Sequence, residues 1–113
     1  MLQRMLLPLL VTKALAEAAG VFLVVFAGVG SALLAERWPQ VFPAWCVPAT
    51  WGGVIALCIT ALGPVSGAHF NPVVTLVLAV SNRLSWTHLP FYWGSQFAGG
   101  LSAIGLLMAL RKI

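Results

Sequence analysis

Aspartate is absent from this 113-residue chain, and Glu17 and Glu36 are its only carboxylate side chains. Charged residues amount to 7% of the total, where a soluble domain carries about 25%. So few charges cannot cover a water-facing surface. They also leave no Ser–His–acid or Cys–His set for hydrolysis, and no paired carboxylates for acid–base work. The two cysteines, Cys46 and Cys58, are too few for a disulfide framework and read as packing residues. His69 has no second histidine or carboxylate at ligand spacing, so neither a metal nor a cofactor is expected. The net charge of +4 is scattered and makes no nucleic-acid patch. Hydrophobic residues make up 61% of the chain, which excludes disorder.

The charges divide the chain into long apolar intervals. Eighteen uncharged residues separate Glu17 from Glu36, 45 separate Arg37 from Arg83, and 27 separate Arg83 from Arg111. A membrane helix needs roughly 20. Three crossings fit, and the middle interval has about 20 residues to spare. The N-terminal run from Met5 to Thr12 does not read as a signal peptide, because it is short, contains Pro8, and meets Lys13 and Glu17 rather than a small-residue cleavage site.

A first helix is expected over residues 10–35. Its small residues Ala27, Ser31 and Ala35, with Gly28 and Ala32 beside them, permit close approach in lipid. Pro39, Pro43 and Pro48, with Trp38 and Trp45, mark an interfacial loop. A second helix over 49–62 is stopped by Gly63-Pro64. About 13 residues rise only ~20 Å, too short for a full span of ~30 Å. Asn71-Pro72 then opens another helix, because Asn caps well and Pro at the first position loses no hydrogen bond. That helix ends near Asn82-Arg83 and is too short to cross, so residues 63–82 are expected to enter the membrane and return. A third full helix covers 89–110, with the small stripe Ser95, Gly99 and Ala103, and with Trp86, Phe91, Tyr92 and Trp93 at its interfacial start. The fold class is thus an all-α membrane protein of three transmembrane helices plus one re-entrant half-helix. Non-helical backbone survives at membrane depth only beside protein or water. Residues 63–71 are therefore the candidate site.

Three segments now carry a resemblance. Ser66-Gly67-Ala68-His69-Phe70-Asn71-Pro72-Val73-Val74-Thr75 resembles the signature loop of the aquaporin and glycerol-facilitator (major intrinsic protein) family. Glu17-Ala18-Ala19-Gly20-Val21-Phe22-Leu23, followed by Phe26-Ala27-Gly28, is similar to that family's first helix. Pro90-Phe91-Tyr92-Trp93-Gly94-Ser95-Gln96-Phe97-Ala98-Gly99 is similar to its third. The resemblance covers one inverted-repeat half of a six-helix fold, the first. It implies a passive multi-pass channel, in the cell or inner membrane, for water or small neutral solutes such as glycerol.

Within that resemblance the carbonyls of Gly67, Ala68 and His69 form a ladder of acceptors leading to Asn71, while the His69 ring is structural. Asn71, Pro72 and Val73 form the pore-facing tip, and the half-helix directs its partial positive end there. Glu17 and Gln96 brace the loop. The residues alone leave two alternatives open: Glu17 paired at the interface with Lys13 four positions away, and Gln96 bonding between helices. Trp51, 20 residues before Asn71, matches the aromatic of the outer constriction in the glycerol-conducting branch; otherwise it is a belt tryptophan beside Trp45. Two departures stand out. Val73 replaces the usual alanine after Asn-Pro, and the family's filter arginine, which follows its second motif, has no counterpart, Val74 taking the matching place in a homodimer.

One half cannot enclose a pore. Besides the bilayer, a partner is expected: a second, antiparallel copy or a complementary half, with a fourfold array of pores as a further level of assembly. With the N-terminus inside, Arg4, Lys13 and Arg83 lie on one side, and Arg37, Arg111 and Lys112 on the other. That balance gives no orientation bias, as insertion in both directions requires. The competing reading is a truncated or split-gene half, non-conducting alone, that needs or regulates another subunit.

Overall fold

A computed structural model describes residues 1–112. Four α-helices follow in order: α1 (Leu2–Arg37), α2 (Cys46–Ser66), α3 (Pro72–Val80) and α4 (Leu89–Arg111), with a 3-10 turn at Trp86–His88 leading into α4. α1, α2 and the Trp86–Arg111 segment are each long and apolar enough to cross a membrane. The bundle is elongated, 58 × 26 × 22 Å. α1 is its spine and packs against both α2 and α4, while α3 lies on α4.

Helices α1 and α2 differ most from the sequence reading. α1 has 36 residues and starts at Leu2, so Pro8 lies inside it. Proline there removes only the bond to the Arg4 carbonyl, and helix remains the best state for an apolar segment whose backbone must satisfy itself. α2 has 21 residues, starts at Cys46 and runs straight through Pro64. Pro48 falls in its first turn, where the amide needs no helical partner. At about 32 Å, α2 is long enough to span, contrary to the expectation of a short helix broken at Gly63. Gly67 ends it instead. This residue adopts the left-handed conformation (φ 89°, ψ −5°) and donates its N–H to the Gly63 carbonyl at 2.8 Å.

α3 has nine residues. Asn71 is its extended N-cap, accepting the Val73 amide on its side-chain oxygen at 2.8 Å, with Pro72 at the first position. It stops where Asn82 turns left-handed (φ 58°) and Arg83 donates to the Leu78 carbonyl at 2.8 Å. Nine residues rise only about 14 Å, under half a bilayer core.

Close helix approach rests on three glycines. A Cβ on Gly99 would stand 2.2 Å from the Ala18 carbonyl oxygen, so here α4 touches the α1 backbone itself. A Cβ on Gly28 would meet the Trp51 indole at 2.3 Å, and one on Gly20 the Phe70 ring at 2.0 Å. On α4 the expected stripe is the buried seam at Gly99 and Ala103. On α1 the buried face runs Ala16, Glu17, Gly20, Val21, Val24 and Gly28, nearer the N-terminus than the expected Ala27–Ser31–Ala35 stripe, whose members stay half-buried. The shift follows from where α4 and the loop meet α1. Of α2 only Cys58 and Ser66 are buried. Leu57, Phe97 and Leu101 are among many large apolar side chains facing outward, as suits a lipid or protein surround.

Candidate functional site

The loop between α2 and α3 passes against α1 and α4, and a buried acid organises it. Glu17, fully enclosed on α1, accepts the His69 amide on Oε1 at 2.8 Å and the Phe70 amide on Oε2 at 2.8 Å. Gln96 of α4 adds its Nε2 to Oε2 at 3.2 Å. Three donors thus meet one acid at a depth where an unpaired one would be costly. Among the described residues Glu17 forms no ion pair with Lys13; its oxygens are taken up by the loop and Gln96.

Thr75, fully buried on α3, joins the cluster. Its hydroxyl receives Gln96 Nε2 at 2.9 Å, lies 3.0 Å from His69 Nδ1, and stands 3.2 Å from the Asn71 carbonyl. Gln96 therefore links α1 to α3 rather than touching the loop backbone. Its Oε1 is buried without a partner. Tyr92 is also buried and donates its hydroxyl to the Ser66 carbonyl at 2.6 Å, and the His69 ring stacks on it at 4.6 Å. Trp93 donates its Nε1 to the Pro72 carbonyl at 3.0 Å. These bonds tie both ends of the loop to α4.

The loop backbone is itself unusual. Ala68 (φ 50°) and Phe70 (φ 51°) join Gly67 in the left-handed region, which costs a non-glycine residue roughly 1–2 kcal/mol. The hydrogen bonds from this segment offset that cost: the Ala68 amide goes to Ser66 Oγ at 3.1 Å, and the next two go to Glu17. The Phe70 ring fits only because residue 20 has no side chain.

Peptide geometry then fixes the opposite edge. Among the described residues no peptide bond is cis, so each carbonyl points away from the N–H of the following residue. With the amides of Ala68, His69 and Phe70 turned to Ser66 and Glu17, the carbonyls of Gly67, Ala68 and His69 point away from them. Among the described residues none of these three carbonyls has a protein donor. The row leads to Asn71, exposed at the tip of α3 beside half-exposed Pro72 and exposed Val73 and Val74. Asn71 uses its side-chain oxygen on the Val73 amide, which leaves its NH2 group free to donate outward.

The loop residues, Glu17 and Gln96 are thus together, whereas Trp51 stands apart. It lies 15 positions before the end of α2, about 22 Å along that helix, half-buried with its indole on Gly28. Among the described residues no three of His, Cys, Asp and Glu converge as metal ligands. The sequence reading misses Thr75, Tyr92, Trp93 and Ser66 as site residues, placing Tyr92 and Trp93 at the interfacial start of the last helix. A signal for one of them was present: Tyr92 lies four residues before Gln96 and seven before Gly99, on the same face of α4.

With this geometry described, comparison with known proteins places the chain. The Major intrinsic protein family model matches residues 6–113. A probable aquaporin of NIP type from Nicotiana alata is 38% identical over 102 residues, covering 89% of this chain and 37% of that protein. A putative aquaporin NIP4-1 from Arabidopsis thaliana is 39% identical over 106 residues, covering 92% and 37%. Aquaporin NIP1-3 from Oryza sativa subsp. japonica is 37% identical over 100 residues, covering 87% and 34%. The chain thus spans only about a third of the length of these relatives. With three membrane-capable helices and a family match over nearly all its length, this chain is a multi-pass membrane protein and belongs to the major intrinsic protein family.

Proposed function

We propose that the chain supplies one half of a passive membrane channel for water or small neutral solutes such as glycerol. The observation that carries this reading is the two-sided loop. Its amides are consumed by Glu17 and Ser66, while three carbonyls face the other way and lead to the NH2 group of Asn71 at a helix N-terminus. A row of acceptors ending in donors and a partial positive end suits solutes that both accept and donate hydrogen bonds. The same positive end disfavours cations. Gly67, Ala68, His69, Asn71, Pro72 and Val73 line the path, and Trp51 narrows it farther along.

α3 cannot span a bilayer, so loop and half-helix enter and return on one side, and a second half must close the path. An antiparallel second copy is the simplest partner, since inversion about an axis in the membrane plane brings two half-helix tips together. Val73 would then face its equivalent. With no arginine at the constriction, the pore is wider, more apolar and less selective for water than one that has it. A complementary half is the second reading, supported by the match extending over about a third of each relative's length.

Stopped-flow osmotic shrinkage of proteoliposomes tests conduction. Permeability no higher than in protein-free vesicles, with insertion verified, refutes conduction by this chain alone and leaves the complementary-half reading. Adding that half must then restore conduction if the channel reading is right. Asn71→Asp keeps the capping oxygen and removes the NH2 donors, so solute selectivity should change while the fold persists. Labelling of both termini decides the partner, because a single fixed orientation excludes the antiparallel homodimer.

A further inference from the structure

The hydroxyl of Thr75 has three neighbours: Gln96 Nε2, His69 Nδ1 and the Asn71 carbonyl. A hydroxyl has one proton and two lone pairs. Gln96 Nε2 can only donate, so it takes one lone pair. The Asn71 carbonyl can only accept, so it takes the proton. The remaining lone pair meets His69 Nδ1, an arrangement that favours a hydrogen on that nitrogen. The reverse assignment would aim the hydroxyl proton at Nδ1 and give up the hydroxyl bond to the Asn71 carbonyl, which would keep only the Thr75 N–H at 3.1 Å. The Gln96 amide cannot turn over to relax this, because Glu17 Oε2 holds its NH2 group.

A neutral imidazole has a single N–H. With it on Nδ1, the other ring nitrogen, Nε2, is a bare acceptor. Nε2 lies beside exposed Gly67, where a Cβ would stand 3.1 Å away. It has no hydrogen-bond partner among the described residues and is not sealed in the interior. Stacking on Tyr92 fixes the ring plane. Glu17 and Lys13 are the charged groups near the ring, and the Glu17 oxygens are already engaged by the loop amides and Gln96.

We propose that His69 is a specificity-determining residue, its ring held as the Nδ1–H tautomer so that Nε2 adds a side-chain acceptor to the carbonyl row of Gly67, Ala68 and His69. The ligand class is a neutral solute with hydroxyl donors. The role of Nε2 rests on reading that row as the solute path; the tautomer does not. Thr75 is a positioning residue, directing the ring through one proton.

Nitrogen NMR of [15N]histidine-labelled protein in bilayers at pH 8 tests the tautomer, with His88→Asn used to assign the two histidines. The expected spectrum shows His69 with Nδ1 protonated and Nε2 bare. Thr75→Val removes the hydroxyl and should redistribute the proton between the ring nitrogens. A protonated Nε2 in the unaltered chain overturns the proposal. His69→Asn keeps a donor near the Nδ1 position and deletes Nε2. In proteoliposomes that conduct, with the complementary half added if it is needed, this variant should lower the glycerol-to-water permeability ratio about fivefold, the worth of one hydrogen bond. An unchanged ratio overturns the path-facing role. If no preparation conducts, the channel reading falls and the role of Nε2 falls with it, while the NMR result still decides the tautomer.

Discussion

Replacing Glu17 by glutamine preserves shape and removes one acceptor, which isolates the hydrogen bonding of the loop. In the parent chain Oε1 takes the His69 amide, while Oε2 takes the Phe70 amide and Gln96 Nε2. A glutamine oxygen can stand at only one of these positions. Placed at Oε2, it keeps two donors and turns its NH2 group toward the His69 amide, stranding one buried N–H. Placed at Oε1, it strands two. The first orientation is therefore favoured, and one unsatisfied buried amide costs about 1–3 kcal/mol. The loss falls on a segment with left-handed Ala68 and Phe70, whose conformation persists only while its surroundings hold it. Detergent-unfolding midpoints should fall accordingly for Glu17→Gln. Hydrogen exchange at His69 should accelerate more than exchange along α2. Glu36→Gln is the control: Glu36 is exposed, with no hydrogen-bond partner among the described residues, so its effect should stay within about 0.5 kcal/mol. Equal stability of Glu17→Gln and the parent, with unchanged exchange at His69, would refute the claim that Glu17 holds the loop.

Gly99→Ala should destabilise by about 1–3 kcal/mol in the same unfolding assay, because its methyl group would sit 2.2 Å from a backbone oxygen that cannot move independently of α1. Gly28→Ala should cost a similar amount, and Trp51→Leu should relieve most of it; additive losses in the double variant would show that the indole does not occupy the notch. Pro64→Ala should leave stability unchanged or raise it, since α2 passes through this position and alanine restores the amide donor to the Thr60 carbonyl; a marked loss of helicity by circular dichroism would contradict the continuous helix.

Capping chemistry makes the start of α3 legible in the sequence alone. Asn followed by Pro begins a helix for local reasons, and it does so here. Local rules misplaced the end of α2 because they weigh proline as a breaker wherever it stands. Near a helix end, Pro64 removes a single donor, and the left-handed Gly67 two residues past Val65 makes the real stop. The tryptophan and tyrosine opening α4 read as interfacial residues because composition cannot tell an interface from a buried seam. Tyr92 is enclosed because the carbonyl of Ser66, 26 positions earlier, lies against it.

What the sequence by itself determined is the membrane class, the number of membrane-capable segments, the start of the short helix α3 and the family to which its motifs point. All of these follow from local composition, spacing and capping. Only the tertiary structure decided that the Glu17 oxygens go to two amides more than 50 positions away. It alone decided that Thr75 stands between His69 and Gln96, and that three loop carbonyls point outward as a consequence. The reason is physical. A hydrogen bond depends on ångström-scale placement of its two partners, and between distant residues that placement is set by how glycine-sized notches let the helices approach.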